Sequence, residues 1–567
     1  MAQDAQKMIE KITAGYTFES PTIHLGAAIV DGVTYKDAAV KLPVGMMNRH
    51  GLIAGATGTG KTVTLQVMAE QLSLQGVPVF VSDIKGDVTG LSTPGTASDK
   101  LAKRTAEIGQ DWQARSFPVE YYALGGDGKG IPVRATISDF GPILLSRVMD
   151  LNETQESSLQ LVFHYADQKG LELFDLKDLR AVIQFLTSDA GKPELEALGG
   201  LSKATAGVIL RELVALEAQG MDKFFGEPEF DTADLLRVTP DGLGVISCLE
   251  LPTMQQKPAL FSTFMMWLVA DLFADLPEVG DPEKPKLVFF LDEAHLLFRG
   301  ASKAFLESIM TTVRLIRSKG VGIFFVTQTP KDVPSDVLSQ LANRVQHALR
   351  AFTPDDAKAL KATVSTFPKS DYDLEETLTS AGIGEAVITV MNEKGAPTPV
   401  VWTKMFAPLA RMGASDAAVV DGIVAASPLL PKYKDRVDNP SAFEKLASAP
   451  TVAPSAGSGA AGAGAAGTGG AVPTSGGAPV GGGTSLSDTD AEARRIEEDI
   501  LGRPSTRPAP APTRSAPTRS APPVNSAPRS QSSNSDFGAQ LANMAGQVGK
   551  ELLRGLFSTR KRRRKFW

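Results

Sequence analysis

The chain has 567 residues, with 58 Lys and Arg against 64 Asp and Glu, a formal net charge of −6. That length exceeds one compact core, and the acidic balance excludes a uniformly basic protein that coats nucleic acid, though not one that confines positive charge to a channel. A single cysteine, Cys248 in GVISCLEL, excludes an intramolecular disulfide framework and reads as a small core hydrophobe in a reducing compartment. No stretch reaches about 18 consecutive apolar residues, so no membrane span is expected. The opening MAQDAQKMIEKI carries acids without a long apolar run, unlike a signal peptide, and a cytoplasmic location is expected.

The first strong signal is HGLIAGATGTGKT at 50–62, an apolar strand that runs into Gly55, Ala56, Thr57, Gly58, Thr59, Gly60, Lys61 and Thr62. Every fixed position of G-x-x-x-x-G-K-[ST] is present. Glycines let backbone N–H groups converge on phosphate oxygens, and the helix expected over 60–75, with Val63 in its first turn, points its positive end at the same anion. Lys61 is then expected on the β- and γ-phosphates and Thr62 on Mg²⁺. The chain is expected to bind a nucleoside triphosphate.

PVFVSDI (78–84) is a continuous apolar run typical of a strand buried on both faces of a parallel sheet. It ends in the polar turn Asp83-Ile84-Lys85-Gly86-Asp87, where ligands sit in open α/β sheets. Helical periodicity over about 95–240 predicts a mostly helical insertion. The α/β alternation then resumes: strand at GVISCLEL (244–251), a helix apolar on most sides at PALFSTFMMWLVADLFADL, strand at KLVFFLDEAH, helix at KAFLESIMTTVRLIRSKG, strand at GIFFVTQTP, and further strands at RVQHALR and EAVITVM.

Asp292 and Glu293 follow LVFFL, a pattern that places carboxylates at the end of the strand beside a phosphate loop. Asp292 is expected to hold Mg²⁺ with Thr62, and Glu293 to orient and polarise the attacking water. Gln328, after GIFFVT, could reach the γ-phosphate or that water. A ring ATPase also takes an arginine from its neighbour; Arg314, Arg317, Arg344 and Arg350 are candidates, with Arg317 favoured. His295 completes the letters Asp-Glu-Ala-His, but the remaining motifs of the helicases named for that box are absent, and it reads as a local hydrogen-bonding or helix-start residue.

NRHGLIAGATGTGKTVTLQ (48–66), VSDIKGDVTGL (81–91), LVFFLDEAHLLF (287–298) and FFVTQTPKDVP (324–334) occur in order with matching spacing. Together they resemble the HerA-like ATPases, most closely the bacterial branch with a HerA helicase-like C-terminal domain, over about residues 15–410. The resemblance implies an additional-strand P-loop fold related to FtsK-type DNA pumps, assembled as a homo-hexamer and using ATP and Mg²⁺. It places Lys61 and Thr62 in its Walker A motif, Asp292 and Glu293 in its Walker B motif, and Gln328 at its sensor position. The family's helicase has an N-terminal β-barrel ahead of the motor, for which the residues before Gly55 are too few.

The expected organisation is an α/β P-loop NTPase domain of the RecA/FtsK-like type with a largely parallel sheet over 1–435. A Gly/Ala/Pro/Ser-rich disordered linker over 436–535 follows, then a short C-terminal helix within 536–567. Phe537, Leu541, Met544, Val548, Leu552 and Leu556 give that helix one apolar stripe ahead of the basic run Arg560–Lys565. It suits a helix docking on the body or a protein partner, a phosphate-backbone anchor, or a membrane-surface helix. The expected function is a Mg²⁺-dependent ATPase that moves along or remodels DNA. The alternatives are an ATP-dependent switch or scaffold acting on protein partners without translocation, and a motor coupled to conjugation or secretion.

Overall fold

The computed structural model describes residues 2–448 except 126–127, 198, 252–257 and 300–302. Residues 449–535 of the linker expected over 436–535, and the helix expected within 536–567, lie outside the described residues. Among the described residues twelve strands form one sheet: β1 (Thr22–Val30), β2 (Val33–Pro43), β3 (Gly51–Ala54), β4 (Val79–Asp83), β5 (Val119–Leu124), β6 (Ile131–Val133), β7 (Ile246–Glu250), β8 (Leu287–Leu291), β9 (Val321–Thr327), β10 (Asn343–His347), β11 (Glu385–Thr389) and β12 (Val401–Met405). Their spatial order is β2-β1-β12-β11-β10-β3-β9-β8-β4-β7-β5-β6. From β10 to β6 every pairing is parallel; β11, β12, β1 and β2 continue the sheet in antiparallel register.

This order corrects one expectation. The acid-bearing strand β8 is not beside the phosphate-loop strand β3, because β9 lies between them. Helical crossovers free a parallel sheet from sequential order, so a strand late in the chain can be inserted between two earlier ones. The insertion brings the end of β9, with Gln328, between the loop and the carboxylates.

The continuous apolar runs follow from burial on both faces. Alternate residues of one strand enter different cores: Val79, Val81, Val288 and Phe290 on one side, Phe80, Leu287, Phe289 and Leu291 on the other. The first core takes Leu65, Met68, Ala69 and Leu72 of helix α1 (Lys61–Leu74), which follows the phosphate loop. The second takes the apolar helix Pro258–Asp275, with Phe261, Phe264 and Trp267 buried, and the helices that follow β6. Trp267 donates its Nε1–H to Asp139 Oδ2 at 2.9 Å, which satisfies the one polar atom of a deeply buried indole. Cys248 is fully buried in β7.

Within 95–240, β5 and β6 extend the parallel sheet, and the helical part is concentrated between Ile137 and Phe224. At the other edge β1 and β2 form a hairpin turned by Asp31 and Gly32, both at positive φ, as a two-residue turn between twisted strands requires. No described helix is long and apolar enough to cross a membrane.

The ordered body continues beyond residue 435. Val437 N–H donates to Glu227 O at 3.2 Å, and the helix Ala442–Ala447 packs on the helix Leu176–Thr187. Asp178, fully buried, accepts hydrogen bonds from Ser441 Oγ and Phe443 N as well as from Phe174 N and Asp175 N. A chain ended after residue 435 strips two donors from that carboxylate. It is expected to be less stable than one ended after residue 448 by about 1–3 kcal/mol, read as a lower denaturation midpoint in urea.

Candidate functional site: a phosphate loop facing paired carboxylates

The loop between β3 and α1 is held from three sides. Gly55 N–H donates to Thr327 O of β9 at 3.2 Å, Ala56 N–H to Ala348 O just past β10 at 2.8 Å, and Thr59 O accepts from Gly384 N at 2.9 Å. Gly55 has φ +156° and a Cβ there would lie 2.5 Å from Cβ of His347, so neither conformation nor space admits a larger residue. Gly60, at φ +114°, precedes α1 without any side-chain cap. The first N–H groups of α1 are therefore left for an anion, with the positive end of the helix dipole behind them.

Lys61 is 8% exposed, and its Nζ donates to Gly55 O at 2.7 Å and Ala56 O at 3.2 Å. Burial lowers its pKa, opposed chiefly by the charge of Glu293. The amine is thus folded onto its own loop, where phosphate oxygens would compete for it.

His347 buttresses the loop from β10. Its Nδ1 lies 2.9 Å from Glu385 O, a carbonyl that can only accept, so Nδ1 carries the proton. Its Nε2 then accepts from Thr64 Oγ1 at 2.9 Å. Burial pushes the imidazole pKa down to about 4, with the backbone bond opposing and the Lys61 charge adding to the fall.

Asp292 and Glu293 emerge from β8 two strands from the loop. Asp292 N–H donates to Ser82 Oγ of β4 at 3.0 Å, and Ala294 N–H to Val326 O of β9 at 2.9 Å, so both neighbouring strands fix this turn. Glu293 sits in left-handed backbone, φ +47°, a conformation that costs a non-glycine residue about 1 kcal/mol or more and marks a site held by its surroundings. Its side chain is 6% exposed; Oε1 is paired with Lys85 Nζ, and Oε2 lies 3.2 Å from His295 Nδ1 without the alignment of a hydrogen bond.

The turn after β4 supplies the rest. Asp83, 1% exposed, accepts from Lys85 N (3.2 Å), Gly86 N (2.7 Å) and Val88 N (2.9 Å) and so shapes the whole turn. Burial pushes its carboxyl up to about 6 and that of Asp292 up to about 7, the latter against the positive charge of Lys85. Burial raises the pKa of Asp87, against the charge of Lys85 and the neighbouring Thr62 hydroxyl. Asp87 Oδ1 and Asp292 Oδ2 are buried with no hydrogen-bond partner among the described residues. Two orphaned carboxylate oxygens beside a hydroxyl-bearing Thr62 are oxygen donors of the kind Mg²⁺ takes, so the residues fit that ion.

Of the residues singled out in the sequence, Gly55–Thr62, Asp292, Glu293 and Gln328 lie at the carboxyl edge of β3, β9 and β8, with Gln328 exposed at the end of β9. Arg317 does not join them within one chain. It precedes β9, at the opposite edge of the sheet, with its Nη2 3.6 Å from Asp281 Oδ1. Arg344 is half-buried on β10, within reach of Leu338 O and Thr366 O. His295 opens the short helix His295–Phe298 beside Glu293. Lys85, Asp87 and His347 were not assigned roles from sequence. The turn Asp83–Asp87 at a strand end pointed to the first two, whereas nothing in RVQHALR distinguished His347.

The strand order and the phosphate loop define a P-loop nucleotide-binding protein of the additional-strand type. The family described as helicase HerA-like C-terminal matches residues 30–565, and the chain belongs to it. It is 22% identical over 360 residues to the DNA double-strand break repair helicase HerA of Saccharolobus solfataricus, covering 62% of this chain and 64% of that protein, just under two thirds of its length. It is also 22% identical over 363 residues to the DNA import protein CedB of Sulfolobus acidocaldarius, covering 63% of this chain and 52% of that one. Among solved structures, the bacterial conjugative coupling protein TrwBdeltaN70 superposes with a TM-score of 0.45 at 15% identity, covering 72% of this chain and 95% of that chain.

The depressed pKa of His347 has a measurable consequence. Between about pH 6.5 and 4 the unfolded chain protonates this imidazole and the folded one does not, so stability is lost as pH falls through that window. Relative to His347→Gln, the wild type is expected to lose up to about 1.4 kcal/mol per pH unit there. Parallel urea titrations of the two proteins measure the difference, in which all other titrating groups cancel.

Proposed function

We propose that the chain is a Mg²⁺-dependent ATPase that assembles as a homo-hexameric ring and uses hydrolysis to move along or remodel DNA. The observation that carries this reading is the meeting of Lys61, Thr62, Asp292 and Glu293 at one edge of the sheet, with Gln328 on the strand between them. A triphosphate along the loop takes the uncapped N–H groups of α1, and Lys61 exchanges the carbonyls of Gly55 and Ala56 for β- and γ-phosphate oxygens. Thr62 and Asp292, with Asp87 nearby, would hold Mg²⁺, whose contribution is to neutralise phosphate charge. Glu293 accepts a hydrogen bond from the attacking water, and Gln328 reaches the same water or the γ-phosphate.

Support for DNA as the polymer comes from the relatives, two of which are named a DNA repair helicase and a DNA import protein. The ring reading rests on Arg317: it lies across the sheet from its own site, so completing a site with it requires a second copy. We read the Gly/Pro-rich stretch that follows the body as a tether and the basic C-terminal segment as a docking element for a protein partner, with the whole acting in the cytoplasm.

Lys61→Ala is expected to abolish triphosphate binding and turnover, and Glu293→Gln to bind ATP yet hydrolyse it slower by about 10²-fold or more. Duplex DNA is expected to raise the turnover of the wild type. Turnover indifferent to DNA in a steady-state phosphate-release assay would instead favour a switch that does not translocate.

Mixing tests the ring. Arg317→Ala and Glu293→Gln subunits are each expected to be nearly inactive, but a mixed ring has some interfaces with Glu293 intact on one side and Arg317 on the other. Partial recovery of ATPase activity on mixing is the expected result. Full activity in a strictly monomeric protein would rule the ring out.

A further inference from the structure

The pairing of Glu293 with Lys85 is not explained by phosphate binding, and the surrounding geometry shows what it does. Lys85 lies three residues beyond Ser82, and Glu293 two beyond Leu291, where Ser82 and Leu291 face each other in the parallel register of β4 and β8. The backbone of Lys85 is fixed by the three bonds that its turn donates to buried Asp83, and Gly86 at φ +74° closes that turn. The Lys85 side chain is 39% exposed, whereas that of Glu293 is 6% exposed. Glu293 is therefore a buried carboxyl group next to a second one, Asp292, with Asp87 nearby. Lys61 already donates to two carbonyls of its own loop, so the amine bonded to the Glu293 carboxylate is that of Lys85.

We propose that Lys85 is a positioning residue for hydrolysis: it binds Oε1 of Glu293, holds the carboxylate in one orientation, and leaves Oε2 as the acceptor for the attacking water. Oε2, 3.2 Å from His295 Nδ1 without hydrogen-bond alignment, has no hydrogen-bond partner among the described residues. The proposal rests on the reading of Glu293 as that acceptor. It assigns Lys85 no contact with phosphate, because its amine is committed to the carboxylate. Without Lys85 nothing holds Oε1, and the Glu293 side chain is expected to swing away from Asp292, so that Oε2 no longer accepts from water.

The test compares full-length Lys85→Met, Lys85→Arg, Glu293→Gln and the double variant Lys85→Met/Glu293→Gln, using steady-state ATPase kinetics and fluorescent ATP-analogue binding. Lys85→Met is expected to lower kcat at least about tenfold, since general-base assistance is worth about 10²–10⁴-fold, with KM for ATP and analogue affinity changed less than about twofold. Lys85→Arg, which keeps a cation in reach of Oε1, is expected to recover most of the loss, a rescue that also answers whether the methionine variant is merely misfolded. In the Glu293→Gln background, Lys85→Met is expected to change kcat little, because the two residues act as one unit.

Losses that add in the double variant, a weakened analogue affinity with kcat preserved, or an unchanged or raised kcat in Lys85→Met would each overturn the proposal. Full activity of Glu293→Gln alone would instead remove the functional reading beneath it, so the two failures are distinguishable.

Discussion

The constraint on which the rest of the structure depends is the suspension of the phosphate loop between neighbouring strands. Gly55 and Ala56 spend their N–H groups on β9 and on the segment after β10, and Thr59 spends its carbonyl on Gly384. Those outward bonds join an internal one from Thr59 N to Ala56 O, so sheet and glycine-rich sequence together set the loop, and the N–H groups at the start of α1 stay unpaired. A loop able to satisfy itself would have had nothing to offer a phosphate. Buried His347 completes the support through Thr64 and Glu385, and its neutral state keeps a second positive charge away from Lys61.

The same sheet solves an electrostatic problem on the other side of the site. Asp83, Asp292 and Glu293 are all buried with Asp87 nearby, and burial raises the pKa of Asp83, Asp87 and Asp292. Each has a different answer. Asp83 is consumed by backbone N–H groups, Glu293 has Lys85, and Asp87 and Asp292 each keep an oxygen without a partner. The unanswered oxygens of Asp87 and Asp292 are the ones suited to a cation, and burial, with the neighbouring charges of Glu293 and Asp87, raises the pKa of Asp292.

Much of this was legible in the chain because each signal is local. The spacing from Gly55 to Thr62 is a covalent fact, and the residues it demands serve one physical need, backbone approach to an anion. Five apolar residues before Asp292 and a continuous apolar run before Asp83 are typical of strands buried on both faces, and the split of Val79 and Phe80 into different cores bears that reading out. The hairpin of β1 and β2 was missed although Asp31-Gly32 is a turn signal, because the strands on either side do not alternate cleanly.

What the sequence determined by itself was the kind of chemistry: a strand, a glycine-rich loop, a lysine and a threonine that read as a phosphate site, and acids at the end of another strand. Which residues meet was decided by the tertiary structure. The insertion of β9 between β3 and β8, the pairing of Lys85 with Glu293 across β4 and β8, the reach of His347 into the loop and the position of Arg317 at the far edge all depend on strand order. In a parallel sheet built through helical crossovers, strand order is set by how whole faces pack, and no spacing along the chain records it.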